Sequence, residues 1–350
     1  MAAATDAIRV AVVGATGYAG AELVRLLVRH PRVEVTVVTS EQNAGRSLAD
    51  VLPSFRRKLD LRLETFAPEQ VAERCEVAFT ALPSGKSAAG IAALLERGLR
   101  VVDVGSDFRF RDPAEHARVY GPHPVPHLLR EAVYGLTEHA RTSLRTARLV
   151  TNPGCYPTAA LLALVPLAEA GLIAADGIVV DAKSGVTGAG RTVAAEYLFA
   201  EVDDNLRAYK IGRHRHAPEI EQQLRPSLGA DVAITFVPHL LPIRRGILST
   251  AYLRPRDGAD LEAFAHAFEA RYADERFVVL TGGRPPEIRD VVGTNDCAIG
   301  WELDAKSRTA VVVSVIDNLG KGAAGQAIQN MIVMLGWPES TGLDHLAVVP

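Results

Sequence analysis

Cys155 stands in a turn that could make it a nucleophile. The residues Asn-Pro-Gly (152–154) precede it, and Tyr-Pro-Thr (156–158) leads into an apolar helical pattern that continues to Ala170. Proline is favoured in the first turn of a helix, so Pro157 predicts that Cys155 lies at a helix N-terminus. The partial positive charge there favours the thiolate, which is the form that attacks a carbonyl carbon. The motif alone leaves a structural role for this cysteine open.

A proton carrier for such a nucleophile could come from the segment 212–221, GRHRHAPEIE. Its two histidines, His214 and His216, stand just before a predicted helix that Pro218 opens. Histidine exchanges protons near pH 7, so one of the pair could serve as general acid and base. The other is then expected to be a polar surface residue or an anion-binding residue.

A glycine-rich loop, GATGYAG at 14–20, follows a predicted strand and precedes a predicted helix. In this context Gly14 permits a sharp turn, Gly17 lets the backbone approach a pyrophosphate, and Gly20 allows close packing of helix on strand. The N-terminus of the helix offers N–H groups to the anion. The loop predicts a dinucleotide site, and the alternative is a glycine-rich turn without a ligand.

The end of the second predicted strand bears on the choice of dinucleotide. NAD sites usually carry an acidic residue there, whereas this strand ends at Ser40 and is followed by Arg46. A hydroxyl and a guanidinium can bind a 2′-phosphate, which favours NADP. Glu41 is an acidic residue in the same loop, so NAD is not excluded as the cofactor.

The elements around this loop alternate as in an α/β protein. Strands are predicted at 9–13, 33–38, 76–82 and 100–104, with helices at 19–30 and 87–98. The alternation predicts a parallel, doubly wound sheet of the Rossmann type. After residue 148 the pattern changes, and strands predicted at 178–182, 232–239, 246–253 and 310–317 indicate an α+β region with an antiparallel or mixed sheet.

The change of pattern predicts two domains. Residues 1–150 are expected to bind the dinucleotide and 151–319 to carry catalysis and oligomerisation. A helical run at 323–335 suggests that the C-terminal segment, 320–350, packs back on the first domain. A length of 350 residues agrees with two domains, since a single core rarely extends so far.

Composition excludes several classes of protein. A formal net charge of -3 gives no general attraction to nucleic acid or to acidic lipid. The N-terminus lacks the pattern of a secretion signal, and no apolar stretch is long enough to span a bilayer. Three separated cysteines suit a reducing compartment, so we expect a cytoplasmic protein in which Cys75 and Cys297 are buried apolar residues.

Several motifs occur in an order that resembles a known family. They are Gly14–Gly20 (GATGYAG), 81–85 (ALPSG), 103–109 (DVGSDFR), 134–136 (YGL), 151–158 (TNPGCYPT), 183–191 (KSGVTGAGR), 214–219 (HRHAPE) and 318–326 (NLGKGAAGQ). Together they cover essentially the whole chain. The sequence is similar to N-acetyl-gamma-glutamyl-phosphate reductase, the arginine-biosynthesis relative of aspartate-semialdehyde dehydrogenase.

The resemblance implies an activity and a set of site residues. The activity is NADPH-dependent reduction of N-acetyl-L-glutamyl 5-phosphate to the 5-semialdehyde through a cysteine thioester, by a homodimer or homotetramer without a metal. The implied catalytic residues are Cys155 and His216. The implied cofactor residues are Gly14, Thr16, Gly17, Tyr18, Gly20, Ser40, Arg46, Pro83, Ser84, Gly185 and Asn318. The implied substrate residues are Arg109, Asn152, Ser184, His214 and Glu219.

Two other functions remain open at this point. Reductases of aspartyl phosphate or of an N-acylated aminoadipyl phosphate share the chemistry and differ in how they bind the far end of the substrate. A non-catalytic NADP-sensing regulator would keep the dinucleotide domain, but it would have no need of Cys155 and His216.

Overall fold

The chain folds as two units. A computed structural model describes residues 7–229 and 232–348, of which 7–153 and 323–344 form the first unit and the remainder forms the second. Residues 1–6, part of the N-terminal stretch considered above, lie outside the described residues.

The first unit contains a seven-stranded sheet whose neighbouring strands are all parallel. Its order is β3-β2-β1-β4-β5-β7-β6. The strands are β1 (Ile8–Val13), β2 (Val33–Thr39), β3 (Leu63–Glu64), β4 (Val77–Thr80), β5 (Arg100–Asp103), β6 (Val133–Tyr134) and β7 (Leu149–Thr151). The chain winds outward from β1 in both directions, which confirms the predicted Rossmann-type sheet.

Helices connect these strands. They are α1 (Tyr18–Leu27), α2 (Leu48–Val51), α3 (Pro68–Arg74), α4 (Ala88–Glu96), α5 (Pro113–Tyr120) and α6 (Thr137–Leu144). The apolar face predicted for α1 packs on β1 and β2, with Leu23, Leu26 and Leu27 buried. This packing directs the N-terminus of α1 toward the glycine loop that precedes it.

The second unit contains another seven-stranded sheet, in the order β12-β13-β14-β11-β8-β10-β9. Its strands are β8 (Ile178–Gly185), β9 (Arg207–Ala208), β10 (Ile234–Leu241), β11 (Ile247–Leu253), β12 (Val278–Gly282), β13 (Cys297–Asp304) and β14 (Thr309–Ile316). The pairs β8–β10 and β12–β13 are parallel and the others are antiparallel. The sheet is therefore mixed, one of the two arrangements predicted.

Helices of the second unit cover one face of this sheet. They are α7 (Cys155–Glu169), α9 (His216–Leu228) and α10 (Leu261–Tyr272), while the short α8 (Phe199–Val202) is largely exposed and contacts the 3-10 turn before it. Helix α7 is apolar on every side and is buried from Tyr156 to Ala168, as expected of a central helix. It packs on β11 and β14, where the Ser314 hydroxyl donates to the Ala159 carbonyl over 2.8 Å.

The opposite face of the sheet is less covered. Because side chains alternate along a strand, its residues share one side; many of them are partly buried or exposed, whereas Ala298 and Val315 are buried in a small apolar cluster. We call this surface the open sheet face; it includes Val179, Val237, Leu248, Val311 and Val313.

The last helix belongs to the first unit. A π-helical turn over Gly320–Ala324 leads into α11 (Gly325–Met334), all of whose residues are buried and which contacts α1, α6 and β5. The helix is shorter than the predicted segment 320–350. It ends because Gly336 adopts a φ of +68° and the Trp337 N–H donates to the Ile332 carbonyl over 3.0 Å, as in a Schellman motif.

Candidate active site

Cys155 is the first residue of α7, as the sequence predicts. Gly154 precedes the helix in an extended conformation, and the first N–H to donate within the helix is that of Thr158, to the Gly154 carbonyl over 2.8 Å. Cys155 is partly exposed, whereas Cys75 and Cys297 are buried as expected. The thiol thus lies at the positive end of a helix and within reach of solvent.

The π-helical turn presses its backbone against this cysteine. A Cβ added to Gly322 would lie 2.9 Å from the Cys155 Cβ, closer than real side chains approach. Glycine at 322 therefore permits a contact that any other residue would displace. π-helical turns often occur at functional sites.

His216 begins α9, two residues before Pro218. The sequence predicted that both histidines precede a helix that begins at Pro218. For His216 this prediction is wrong, because the helix begins two residues earlier and includes it. Pro218 is tolerated as the third residue of the helix, because N–H groups in the first turn have no partner within the helix. His214 remains outside the helix, and its Nδ1 accepts a hydrogen bond from the His216 N–H over 3.2 Å.

Aromatic rings surround the two histidines. The centroid of the Tyr156 ring lies 5.8 Å from that of each imidazole, and the two imidazoles are 4.7 Å apart. Tyr209, which the sequence analysis did not select, packs its ring edge-on to His214 and donates its hydroxyl proton to the Tyr156 hydroxyl over 3.3 Å. Tyr156 in turn donates to the His239 carbonyl over 3.0 Å. The residue after Cys155 therefore contacts both candidate proton carriers.

Burial sets the protonation of this cluster. It lowers the pKa of His214, and together with the positive charges of Arg215 and Lys210 it brings that pKa to about 4. Burial also raises the pKa of Tyr209 to about 12 and raises that of Tyr156. At neutral pH His214 is uncharged and both tyrosines retain their protons.

Ser184, Gly185 and Asn318 lie together in the second unit. The buried Ser184 hydroxyl donates to the Gly185 carbonyl over 3.0 Å. The Asn318 amide donates to the Thr187 hydroxyl over 2.9 Å and accepts from the Gly246 N–H over 2.7 Å. These contacts fix the loop that follows β8.

The glycine loop of the first unit has the predicted geometry. Gly14 has a φ of +86°, and a Cβ added there would lie 2.6 Å from the Ala81 carbonyl oxygen. Gly17 is the N-cap of α1, and a Cβ on Gly20 would lie 2.1 Å from the Gly14 carbonyl oxygen. Tyr18, at the start of α1, is 39% exposed. The loop keeps its backbone accessible for an anion at the helix N-terminus.

A polar chain runs from this loop to Arg46. The Thr16 and Ser40 hydroxyls are 2.9 Å apart, the Asn43 amide donates to Ser40 over 3.3 Å, and Arg46 donates to the Asn43 amide oxygen over 3.1 Å. The guanidinium of Arg46 is exposed. Glu41, which leaves NAD open in the sequence, accepts the Phe66 N–H over 2.9 Å. The residues present therefore fit a dinucleotide with a 2′-phosphate.

Pro83 and Ser84 are exposed in the loop after β4, and the Ser84 hydroxyl contacts the Ser106 hydroxyl. Asp107, missed by the sequence analysis, fixes the loop. Its carboxylate accepts N–H bonds from Gly85 over 2.7 Å and from Ser87 over 3.1 Å.

Arg109 and Asn152 lie side by side in the first unit. Arg109 is buried and donates to the Asn152 carbonyl over 3.0 Å and to the Val104 carbonyl over 3.2 Å. The Asn152 amide donates to the Ala323 carbonyl over 3.2 Å and accepts from the Asn330 amide over the same distance. These bonds hold the end of β7 rigidly.

Comparison with known proteins identifies the family. A model described as "Semialdehyde dehydrogenase, NAD binding domain" matches residues 9–147, and one described as "Semialdehyde dehydrogenase, dimerisation domain" matches residues 155–318. The chain is 48% identical to N-acetyl-gamma-glutamyl-phosphate reductase of Syntrophobacter fumaroxidans, over 96% of this chain and 98% of that protein. It is 49% identical to the protein of the same name from Laribacter hongkongensis, over 98% of this chain and 100% of that protein. The chain belongs to the N-acetyl-gamma-glutamyl-phosphate reductase family.

Solved structures of semialdehyde dehydrogenases have the same fold as this N-acetyl-gamma-glutamyl-phosphate reductase family member. Aspartate semialdehyde dehydrogenase II of Vibrio cholerae, complexed with ASA, has a TM-score of 0.71 at 18% identity, over 95% of this chain and 99% of that one. Aspartate semialdehyde dehydrogenase of Candida albicans, with NADP, has a TM-score of 0.68 at 17% identity, over 94% of this chain and 99% of that one. The resemblance inferred from the motifs is confirmed.

The predicted site residues of this N-acetyl-gamma-glutamyl-phosphate reductase family member fall into two groups. Those in the first unit are Gly14, Thr16, Gly17, Tyr18, Gly20, Ser40, Arg46, Pro83, Ser84, Arg109 and Asn152. Those in the second are Cys155, Ser184, Gly185, His214, His216, Glu219 and Asn318. Gly322 was the missed residue with a readable signal, since it belongs to the glycine-rich run 320–325.

Proposed function

We propose that the chain reduces N-acetyl-L-glutamyl 5-phosphate to N-acetyl-L-glutamate 5-semialdehyde with NADPH, releasing phosphate, as a step of arginine biosynthesis. The observation that carries the proposal is a partly exposed cysteine at the start of α7 whose neighbour, Tyr156, contacts His216. Identity of 47–49% to reductases of this name supports the substrate.

The chemistry begins at Cys155. Its thiolate attacks the acyl carbon, the new carbon–sulfur bond forms, and the bond from carbon to the phosphate oxygen breaks to give a thioester and free phosphate. When bound, NADPH supplies the hydride that reduces the thioester carbon. His216 carries the proton that the overall reaction consumes, and the sulfur leaves as the aldehyde forms.

The two units take different parts in this proposal. The first binds NADP, with the glycine loop at the pyrophosphate and Ser40 and Arg46 at the 2′-phosphate. Pro83, Ser84, Gly185 and Asn318 are proposed for the nicotinamide side. Arg109, Asn152 and Ser184 are proposed for the substrate, and the second unit also carries the oligomer contact.

We propose that the chain forms a homodimer through the open sheet face. The second unit matches a dimerisation domain, and the open sheet face lies on that unit, where its valines share the surface with the ion-paired Asp181 and Lys183. Apolar side chains bordered by polar ones are common at protein contacts. A homotetramer is the alternative assembly.

We propose a cytoplasmic location and no nucleic-acid partner. No disulfide pairs the three cysteines of the described chain, as in a reducing compartment, and the net charge is -3. Among the described residues, no helix combines the length and the apolar character required to cross a lipid bilayer.

The decisive test is a phosphate-dependent dehydrogenase assay in the reverse direction. N-acetylglutamate semialdehyde, phosphate and NADP should give NADPH, and aspartate and aminoadipate semialdehydes should react far more slowly. The variant Cys155→Ser should lose turnover, and substrate should protect Cys155 from alkylation. Full turnover by Cys155→Ser would favour the non-catalytic regulator, and a preference for another semialdehyde would reassign the substrate.

A further inference from the structure

Glu219 joins the nucleophile turn to the helix of the acid/base residue. Its side chain is fully buried, and its carboxylate accepts a hydrogen bond from the Gly154 N–H over 2.8 Å. Gly154 is the residue immediately before Cys155, and Glu219 lies in the first turn of α9. One buried contact therefore connects the starts of α7 and α9.

The spacing along α9 gives this contact a direction. Residues three apart lie on the same side of a helix, so Glu219 and His216 share one face. When Glu219 bonds to the backbone of the nucleophile turn, that face is turned toward the turn. The ring contact between Tyr156 and His216 lies on the same side.

We propose that Glu219 is a positioning residue, which holds the Cys155 sulfur and the His216 imidazole at their reacting distance. The inference rests on the proposed roles of these two residues and replaces the substrate-binding role that the resemblance gave to Glu219. A displacement of about 1 Å at such a pair lowers turnover by about a hundredfold.

The same helix provides a matched control. Glu221, two residues further on, also uses its carboxylate to accept a backbone N–H, that of Ile234 over 3.1 Å. This bond ties α9 to β10 and does not involve the nucleophile turn. Substitutions at Glu221 therefore report the structural cost of losing a bond of this kind.

The test compares Glu219→Gln, Glu219→Met and Glu221→Met. Glutamine keeps an acceptor oxygen for the Gly154 N–H, whereas methionine has a similar length and no such acceptor. We expect Glu219→Met to lower kcat about a hundredfold with KM for the acyl phosphate changed less than about threefold, and Glu219→Gln to recover most of the loss. Glu221→Met should leave kcat within about threefold of wild type.

The rate of Cys155 alkylation by iodoacetamide is the second readout. The alkylation rate should change in Glu219→Met and not in Glu221→Met, and thermal unfolding of both variants measures the loss of stability separately. The idea is overturned if Glu219→Met raises KM without lowering kcat, or if both methionine variants alter kcat and alkylation equally. Because alkylation requires no substrate, it remains informative for a chain that fails the reductase assay.

Discussion

His214 lies two residues before His216, and the surroundings of its imidazole keep that ring neutral. The ring of His214 packs against Tyr156, Tyr209 and Phe236, and its pKa of about 4 keeps it neutral at pH 7. Its Nδ1 accepts the His216 N–H, so the proton of the neutral ring resides on Nε2. His214 is thus suited to fixing the first turn of α9, which leaves His216 as the residue proposed to move protons.

We predict that the acceptor at position 214 is what activity requires. His214→Asn places an oxygen near the position of Nδ1, whereas His214→Leu leaves the buried His216 N–H without this acceptor. We expect kcat to remain within about threefold for Asn and to fall more than about tenfold for Leu. Equal losses in steady-state assays at pH 7 would instead assign the essential role to the ring.

Arg46 should decide between the two dinucleotides. Its exposed guanidinium ends the polar chain from Thr16, where it can pair with a 2′-phosphate. Arg46→Ala should raise KM for NADPH about tenfold or more and alter that for NADH less than about twofold. Arg29→Ala, just beyond the far end of α1, is the control. A similar loss for both cofactors would refute the assignment.

His30 should make the fold sensitive to acid. It is buried beside Trp337, and burial lowers its pKa to about 4 from an ordinary value of 6.5. Between these two pH values His30 is protonated in the unfolded chain and neutral in the folded chain. The free energy of unfolding therefore falls as the pH drops from 6.5 to 4. In His30→Asn the slope of unfolding free energy over this window should decrease by up to about 1.4 kcal/mol per pH unit. Urea unfolding at several pH values measures it, and an unchanged slope would contradict the prediction.

At the level of elements, the starts of α7 and α9 obey one rule. Each begins at a candidate catalytic residue and carries proline as its third residue, Pro157 and Pro218. A proline there has no N–H to leave unpaired, so α7 begins at Cys155 as predicted and α9 begins two residues before Pro218, where the sequence analysis placed its start. The rule brings Cys155 and His216 into first turns, where their backbones are fixed.

The π-helical turn that precedes α11 offers a test at this scale. Gly322→Ala adds a methyl group 2.9 Å from the Cys155 Cβ without requiring a new backbone conformation. We expect kcat to fall at least about tenfold, because the nucleophile is displaced while the fold persists. Gly283→Ala, whose added Cβ meets only the Glu302 carboxylate at 3.8 Å, is the matched control. Unaltered turnover in Gly322→Ala would show that the π-helical turn can move enough to accommodate the methyl group.

Sequence patterns predicted several of the longer elements and missed others, among them the eight-residue strand β13 and the strand β12 that pairs with it. Strands rich in β-branched residues, such as β2 and β14, were found with small errors at their ends. The two-residue strands β3, β6 and β9 carry too few residues for a pattern and exist because a neighbour pairs with them. Helix α10 was also missed, although Asp260 caps it and Phe264 and Phe268 share its buried face.

The candidate site shows the same contrast between residues with a local sequence signal and residues that only folding brings together. Cys155 and the glycine loop were predicted because each occurs in a short motif with a local mechanism, whereas the choice of His216 over His214 came from the family resemblance. Tyr209, Asp107 and the link from Glu219 to Gly154 were not, since each depends on segments brought together by folding over long sequence separations.

Assembly can be tested on the open sheet face. Val313→Arg places a charge at the centre of that surface, where a second copy would have to bury it. We expect a homodimer to become a monomer in light scattering. Leu261→Arg, at an exposed position on α10, should not change the mass. A tetramer that becomes a dimer would identify the open sheet face as one of two contacts, and an unchanged mass would place the contact elsewhere.

Because α11 is buried in the first unit, the order of synthesis and the order of folding differ. A ribosome that has made residues 1–153 has produced all seven strands of the first sheet, but the helix that packs on α1, α6 and β5 is still about 170 residues from being made. The nascent dinucleotide domain must therefore wait, with apolar surface exposed, until the C-terminus emerges. Premature termination after residue 322 would leave that surface permanently bare, a substrate for chaperones and proteases.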